Sequence, residues 1–293
     1  MENTTGVRGI ERKTLYNRCV RALRDGGSRN LYLFEGIGRN HPKFSNFCFL
    51  SGNRVLGVLH TKNGICLHLF IDEAAQSRET AYMERYISTR FPCFTTLFCD
   101  RTAFTLFSRH LGNRPDSVRS FISMGVKRRD FVPGTLHRTV VPPVSHAGLF
   151  VPLQVSYEVE EVGVRESEID RETVRRAIKA RISRREITAV YKDGRPVAMA
   201  GVNARFQEIC QVGSIYVIPG MRNRGYGRSV VSSHVDRLLE HYERVVLFVD
   251  VQNAAARHVY ERIGFTGSGF LVQASFTPRF RVPRASSACP PPP

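Results

Sequence analysis

Residues 215–228 read IYVIPGMRNRGYGR: a strand-like run, a tight basic loop and the start of a long amphipathic helix. The first turn of a helix has backbone N–H groups without partners and carries partial positive charge. Gly225 and Gly227 remove side chains at this point, so an anion can approach those N–H groups closely. The same loop carries Arg222, Arg224 and Arg228. The stretch therefore indicates a binding site for a diphosphate. The alternative interpretation is a surface loop with solvated arginines.

A second informative stretch follows further along the chain. Residues 245–265 read VVLFVDVQNAAARHVYERIGF, in which a strand-like run leads into a short helix that closes at Gly264. Asn253 and Tyr260 are seven residues apart. That separation is about two helical turns, so it places both side chains on one face of the helix.

These two stretches, in this order, resemble motif A and motif B of the GNAT superfamily of acyl-CoA-dependent N-acyltransferases. The resemblance is strong over roughly residues 153–275 and faint in the first half, which has no Gly-rich basic loop after Ile71. The arrangement resembles tandem proteins of this superfamily with an active C-terminal copy and a degenerate N-terminal copy. It implies an α/β (α+β) fold, a GNAT fold present as two related halves. In each, helices would flank a mixed central sheet, and the family's fourth and fifth strands would splay apart.

The resemblance implies that acetyl-CoA is the co-substrate and that no metal is needed. Backbone groups of Ile215, Tyr216 and Val217 would pair with the amides of pantetheine, as if a strand were being added. Gly213 is the expected bulge residue that begins the splay. Asn253 would bind the pantetheine arm or nearby carbonyl groups. The residues that would hold the pyrophosphate are Arg222, Asn223, Arg224, Gly225, Tyr226, Gly227, Arg228 and Ser229.

The chemistry implied by the resemblance is direct attack of a neutral amine on the thioester. The amine must lose a proton, and the departing thiolate benefits from gaining one. Tyr260 occupies the position that donates the thiolate's proton in the family, and a tyrosine that only packs its ring is the alternative. Glu208 is the candidate base, acting directly or through water. Asp250, His234 and His258 are interpreted as structural or helix-face residues.

Composition and local repeats predict two domains. Residues 1–131 are interpreted as a degenerate GNAT-like domain, 132–153 as a Pro-rich linker, 154–278 as the catalytic GNAT domain and 279–293 as a disordered Pro-rich tail. Residues 51–57 echo 193–198, and residues 97–100 echo 247–250 in the same order, which favours a degenerate internal repeat. Within the first half, the apolar run Leu31–Phe34 predicts a strand.

The overall composition is that of a soluble globular chain. Its 293 residues are 42% hydrophobic and 24% charged, which excludes a largely disordered chain, a fibrous repeat and a disulfide-stapled miniprotein. Seven cysteines form no C-x-x-C pair and no zinc-ligand spacing, which indicates a reducing compartment. The N-terminal residues contain no apolar signal region, and no stretch approaches the length of a membrane span. We therefore expect a cytoplasmic protein that does not associate with membranes.

Two other functions stay open at this stage. The net charge of +17 fits a basic protein associated with nucleic acid, although the phosphates of a coenzyme already account for the basic loop. A non-catalytic acyl-CoA sensor would keep the loop without needing Tyr260. For an enzyme, the acceptor amine can be an amino acid, a polyamine, an aminoglycoside, a peptide N-terminus or a lysine side chain.

Overall fold

The structure, a computed structural model, describes residues 12–24, 27–38, 45–61, 64–112 and 114–277. These residues divide into two compact units. One contains the described residues up to Ser123 together with those from Ser268 onward, and the other is Met124–Gly267. The predicted tail, residues 279–293, lies outside the described residues.

The first half of the chain contains four helices and five strands among its described residues. The helices are α1 (Arg12–Leu23), α2 (Leu31–Gly38), α3 (Ser77–Arg90) and α4 (Arg101–Ser108). The strands are β1 (Ser45–Ser51), β2 (Arg54–Thr61), β3 (Cys66–Ile71), β4 (Thr96–Asp100) and β5 (Ser117–Lys127).

The second half contains the same number of helices and strands. The helices are α5 (Ala147–Tyr157), α6 (Arg171–Ser183), α7 (Tyr226–Leu238) and α8 (Ala254–Arg262). The strands are β6 (Ile187–Lys192), β7 (Arg195–Phe206), β8 (Ile209–Val217), β9 (Arg244–Asp250) and β10 (Thr266–Ser275). None of the described helices is long and apolar enough to cross a bilayer.

The two halves run through their elements in one shared order: two helices, three strands, a helix, a strand, a helix and a final strand. This confirms the two related halves expected from the local repeats. The final strand of each half is divided between the two units, however. Residues of β10 from Leu271 to Ser275 pair with β4 in the first unit, and the end of β5 lies in the second unit. The predicted catalytic domain, 154–278, therefore differs from the second unit at both ends.

Within the second unit, the sheet is mixed, as expected. Strand β6 pairs antiparallel with β7, β7 pairs antiparallel with β8, and β8 pairs parallel with β9. Helices α5 and α6 bury Phe150 and Ile178 against Ile187 and Met199 on one face of this sheet. Thr188 lies between two residues of that face, so alternation directs it to the opposite face, where it meets His234 of α7.

Residues 132–153 are not a linker between the two units. Both ends of the segment lie inside the second unit, and residues 147–153 begin α5. The prolines misled the prediction because α5 tolerates Pro152 in its interior, where a proline normally removes a hydrogen bond and crowds the preceding turn. The helix showed no periodicity because its sequence, AGLFVPLQVSY, is apolar on several faces.

The strand predicted at Leu31–Phe34 is also wrong, because these residues begin α2. Leu31, Leu33 and Phe34 are all buried, so the helix hides neighbouring residues on more than one side. A short apolar run of this kind does not distinguish a buried helix from a buried strand.

Phe150 provides a test of whether α5 belongs to the folded core. Its side chain is fully buried (0% exposed), so Phe150→Ala should lower the free energy of unfolding by about 3–5 kcal/mol. The measurement is urea unfolding followed by circular dichroism. Leu149→Ala, on the same helix but 42% exposed, is the matched control and should have a much smaller effect. Equal effects for the two variants would contradict this packing.

Candidate active site

The centre of the site is a gap between β8 and β9. The two strands pair only from Ile209 opposite Arg244 to Gln211 opposite Val246, although both continue for several residues beyond that point. The parallel strands therefore part after Gln211, which confirms the splay expected for this fold. Beyond this point, the backbone N–H and C=O groups of β8 do not pair with those of β9.

A bulge in β8 accompanies the splay. Met199 of β7 lies opposite Tyr216, but Gly201 lies opposite Gly213, so β8 contains one extra residue between these pairs. Ser214 takes the strained conformation, with a φ of 48°. The predicted bulge at Gly213 is thus displaced by one residue.

Neighbouring side chains fix this bulge in place. The Ser214 hydroxyl accepts a hydrogen bond from Arg181 Nη1 (3.1 Å) and donates to Asn203 Oδ1 (3.4 Å). A Cβ atom on Gly213 would lie 1.9 Å from Asn203 Nδ2. Glycine is required at position 213 because the Asn203 side chain covers it.

The basic loop after β8 has the open backbone that the sequence predicted. Pro219–Met221 forms a 3₁₀ turn, and Gly225, with a φ of 81°, caps the N-terminus of α7. The first helical hydrogen bond runs from Ser229 N to Gly225 O. Among the described hydrogen bonds, none is donated by the backbone N–H groups of residues 223–228. Several N–H groups therefore converge at a helix start, where an anion is favoured.

The two loop glycines are needed for different reasons. At Gly225 the left-handed backbone disfavours any side chain, and a Cβ atom would also lie 2.7 Å from Leu136 Cδ1. At Gly227 a Cβ atom would make ordinary contact, 3.5 Å, with Val217 Cγ2. Gly225 therefore shapes the turn, whereas Gly227 keeps the space between the loop and the end of β8 open.

Arg222 is held by an acid that the sequence analysis missed. Its Nη1 lies 2.7 Å from Glu160 Oε1, and its Nε donates to the Val217 carbonyl (3.0 Å). The Tyr216 hydroxyl donates to the other oxygen of Glu160 (3.0 Å). The Arg222 guanidinium holds the pKa of Glu160 below its ordinary value. The available signal was a run of glutamates, YEVEEVG at 157–163, in an otherwise basic chain.

Two residues predicted to bind the pyrophosphate make other contacts. Ser229 is fully buried (0% exposed), and its hydroxyl accepts from the backbone N–H groups of Leu136 and His137. Arg228 lies against Gly134, where a Cβ atom would be 2.4 Å from its Nε. The Ser229 hydroxyl therefore attaches Leu136 and His137 to α7, and Arg228 packs against Gly134. The buried Ser229 side chain is not open at the loop surface.

Tyr260 lies on α8 with 7% of its surface exposed, and its ring centroid is 6.1 Å from that of Phe265. Burial raises the pKa of its phenol, and Glu161 and Tyr157 raise it further. Burial also raises the pKa of Tyr157, and the backbone N–H of Ser214 opposes that rise. Tyr157 and Tyr260 therefore both lie near enough to Glu161 to be affected by its charge.

The segment that carries Glu161 has an irregular backbone. Residues Glu158–Val162 continue α5 as a π-helical turn, which ends at Gly163 in a left-handed conformation (φ 83°). Such turns are rare and frequently occur at functional sites.

Comparisons with known proteins agree with this geometry. Residues 154–265 match the family model for the Acetyltransferase (GNAT) family. These residues are a GNAT acetyltransferase domain. No curated protein sequence matches the chain.

Several solved structures similar to the chain are GNAT proteins. A GCN5-related N-acetyltransferase from Sphaerobacter thermophilus has a TM-score of 0.63 at 14% identity, over 92% of this chain and 93% of that chain. A tandem GNAT protein from the clavulanic acid biosynthesis pathway has a TM-score of 0.57 at 14% identity, over 90% and 94%. A GNAT-family acetyltransferase from Colwellia psychrerythraea has a TM-score of 0.57 at 12% identity, over 88% and 97%. At these identities, the similarity establishes a shared fold.

The remaining predicted residues lie at the margins of the GNAT site. Asn253 caps α8, and its Oδ1 accepts from the backbone N–H of Ala256 (3.0 Å). Asp250 Oδ1 accepts from Gln252 N (2.9 Å), as expected of a structural residue, and His258 is exposed. Glu208 is exposed in the turn between β7 and β8, six residues before the bulge. Along a strand, that separation is about 20 Å.

His234 is a buried residue of the GNAT domain, not a surface residue of α7. It is 1% exposed, and its Nδ1 lies 2.8 Å from Thr188 Oγ1. Arg237 donates to the same hydroxyl (2.8 Å). Burial, together with the charges of Arg237 and Arg181, lowers the pKa of His234 to about 3. Among the described residues, no group of three or more His, Cys, Asp and Glu side chains is arranged to hold a metal ion.

The buried histidine makes stability depend on pH. The unfolded chain takes up a proton at His234 near pH 6.5, whereas the folded chain does so only near pH 3. The free energy of unfolding should therefore fall as the pH drops between these values, and His234→Gln should flatten that slope by up to about 1.4 kcal/mol per pH unit. Urea unfolding between pH 4.5 and 7 measures the slope, with the exposed His258→Gln as control. An unchanged slope would refute a neutral, buried His234.

Proposed function

We propose that the protein is an acyl-CoA-dependent N-acetyltransferase that transfers acetyl from acetyl-CoA to a primary amine. The observation that carries the proposal is the open row of backbone N–H groups at residues 223–228, beside the gap between β8 and β9. A helix start with free N–H groups favours phosphate, and an unpaired strand edge favours an extended chain of amides. A coenzyme with a pyrophosphate and a pantetheine arm presents both.

The edge of β8 supports a more specific pairing. Ile218 N donates to Val197 O in β7 (3.1 Å), so alternation along the strand turns the backbone of Val217 away from β7 and toward the gap. Among the three residues predicted to pair with pantetheine, Val217 is the one this pattern favours. Arg222 Nε already occupies its carbonyl, so a bound pantetheine must share or replace that donor.

Tyr260 is suited to assist the leaving thiolate. Its buried position holds the phenol in the protonated form, because burial disfavours the phenolate. The same burial disfavours a bare thiolate at this point, so a hydrogen bond or proton from the phenol stabilises the charge that develops on sulfur. We assign Tyr260 this role.

For the amine's proton, the structure favours Glu161 over Glu208. Glu208 lies in the turn at the opposite end of β8, whereas Glu161 acts electrostatically on both Tyr157 and Tyr260. In this proposal Glu161 takes a proton from the ammonium group of the acceptor. The neutral amine then forms the C–N bond as the C–S bond of the thioester breaks, and the leaving sulfur takes the proton of Tyr260. The new amide nitrogen loses its extra proton, which restores the Tyr260 phenol.

Gly227→Val tests the coenzyme site. The added methyl groups would enter the space between the loop and Val217, so binding of coenzyme A should weaken at least tenfold, as measured by isothermal calorimetry. Gly220→Val is the matched control, because a Cβ atom at Gly220 would have no neighbour within 4 Å. Circular dichroism checks that both variants fold. Unchanged binding in Gly227→Val would remove the loop from the site.

Tyr260→Phe tests the chemical role. It removes one hydroxyl from a buried ring, so coenzyme A should bind within twofold of the wild-type affinity. Loss of general acid assistance should lower kcat by about 10²- to 10⁴-fold. The measurement is release of free thiol from acetyl-CoA in a screen of primary amines. Binding without turnover in the wild-type protein would favour a non-catalytic acyl-CoA sensor, and unchanged turnover in the variant would refute Tyr260 as the donor.

A further inference from the structure

One acidic side chain contacts two of the residues predicted to hold the coenzyme, and one of these two contacts a third. Arg222 directs both terminal nitrogens at Glu160, with Nη1 2.7 Å from Oε1 and Nη2 2.7 Å from Oε2. Its Nε donates to the Val217 carbonyl (3.0 Å), and the Tyr216 hydroxyl donates to Glu160 Oε2 (3.0 Å). Every nitrogen of the Arg222 guanidinium is therefore engaged inside the GNAT domain.

A carboxylate in this position competes directly with phosphate. The planar guanidinium binds carboxylate and phosphate through the same pair of parallel N–H donors. Arg222 cannot present that pair to a phosphate while Glu160 holds it. The two side chains are each 40% exposed, so the ion pair lies at the surface, where another anion can reach it.

Glu160 also belongs to the segment that carries Glu161, the proposed base for the acceptor amine, and this part of the site is called the acceptor side below. Glu160 is in the middle of the π-helical turn Glu158–Val162, next to Glu161. The ion pair thus ties the coenzyme loop after β8 to the backbone that positions Glu161.

We propose that Glu160 is the internal counter-ion of Arg222 and that the phosphates of acyl-CoA displace it when the coenzyme binds. The inference rests on the proposed function, because it takes the loop as the seat of acyl-CoA. Binding exchanges one ion pair for another at Arg222 and releases the Glu158–Val162 turn from the loop. Glu160 therefore weakens the affinity for coenzyme and couples coenzyme binding to the acceptor side.

Glu160→Gln is the test variant, because glutamine keeps the shape of the side chain and its hydrogen bond with Tyr216 but removes the charge. Calorimetry at low ionic strength should show coenzyme A binding about two- to fivefold more tightly than to the wild-type protein, the range expected for an exposed ion pair. Added salt should shrink this difference. Pantetheine, which carries no phosphate, should bind both proteins equally.

Two controls separate this effect from a general change of charge. Glu166→Gln removes the same charge from an exposed glutamate that pairs with Arg171 (2.7 Å), and it should leave the affinity for coenzyme A unchanged. In an Arg222→Ala background, Glu160→Gln should have no further effect on coenzyme A binding, because its partner is already absent.

The outcomes distinguish the two proposals. Unchanged or weaker binding of coenzyme A to Glu160→Gln, or an equal gain for pantetheine, overturns the role of Glu160 alone. Weaker binding in particular would show that Glu160 orients Arg222 toward the coenzyme. If the wild-type protein binds no coenzyme A, the proposed function falls together with this inference.

Discussion

The site depends on the parting of β8 from β9. Two parallel strands normally satisfy each other's backbone along their shared length, and buried backbone groups are costly to leave unpaired. Here the pairing stops at Gln211, and the bulge at Ser214 turns the end of β8 away. Side chains form hydrogen bonds with the exposed edge of β8, as Arg222 does with the Val217 carbonyl. Because side-chain donors are exchangeable, an edge satisfied in this way can accept an extended ligand.

The first unit shows what happens without this constraint. Its β3 and β4 pair from Cys66 opposite Thr96 to Leu69 opposite Cys99, which is four of the six residues of β3 and four of the five residues of β4. The segment between β3 and α3, residues 72–76, contains two acidic residues, no basic residue and no glycine. Asp72 in this segment forms an ion pair with Arg54 of β2. In the described part of that unit, β3 and β4 therefore do not part as β8 and β9 do, and the segment between β3 and α3 carries no basic loop. These differences support the interpretation of the N-terminal half as a copy without a coenzyme site.

The sequence predicted what is encoded locally. The basic loop before α7 and the Asn253-to-Tyr260 spacing on α8 depend on neighbouring residues, so their placement followed from turn and helix geometry. The missed features depend on contacts distant along the chain. Glu160 became visible only when the fold brought it to Arg222, and the buried hydroxyl of Ser229 depends on residues 134–137. The division of β5 and β10 between the two units is likewise invisible in the sequence, because the alternation of apolar and polar residues along a strand does not show which strands lie beside it.

The arginines of the loop show why a net charge of +17 says little about the partner. Arg228 packs against Gly134, and its Nε is buried without a hydrogen-bond partner among the described residues. Arg222 is bound by Glu160 and is the one loop arginine with a carboxylate partner among the described residues. Elsewhere in the second unit, Glu186 holds both Arg184 and Arg205. Several arginines of the second unit are therefore paired with carboxylates inside the protein. Affinity for an anionic ligand then depends on whether the ligand can replace the carboxylates that these arginines already bind. At the proposed site, the backbone N–H groups of residues 223–228 can bind an anion without displacing any such partner.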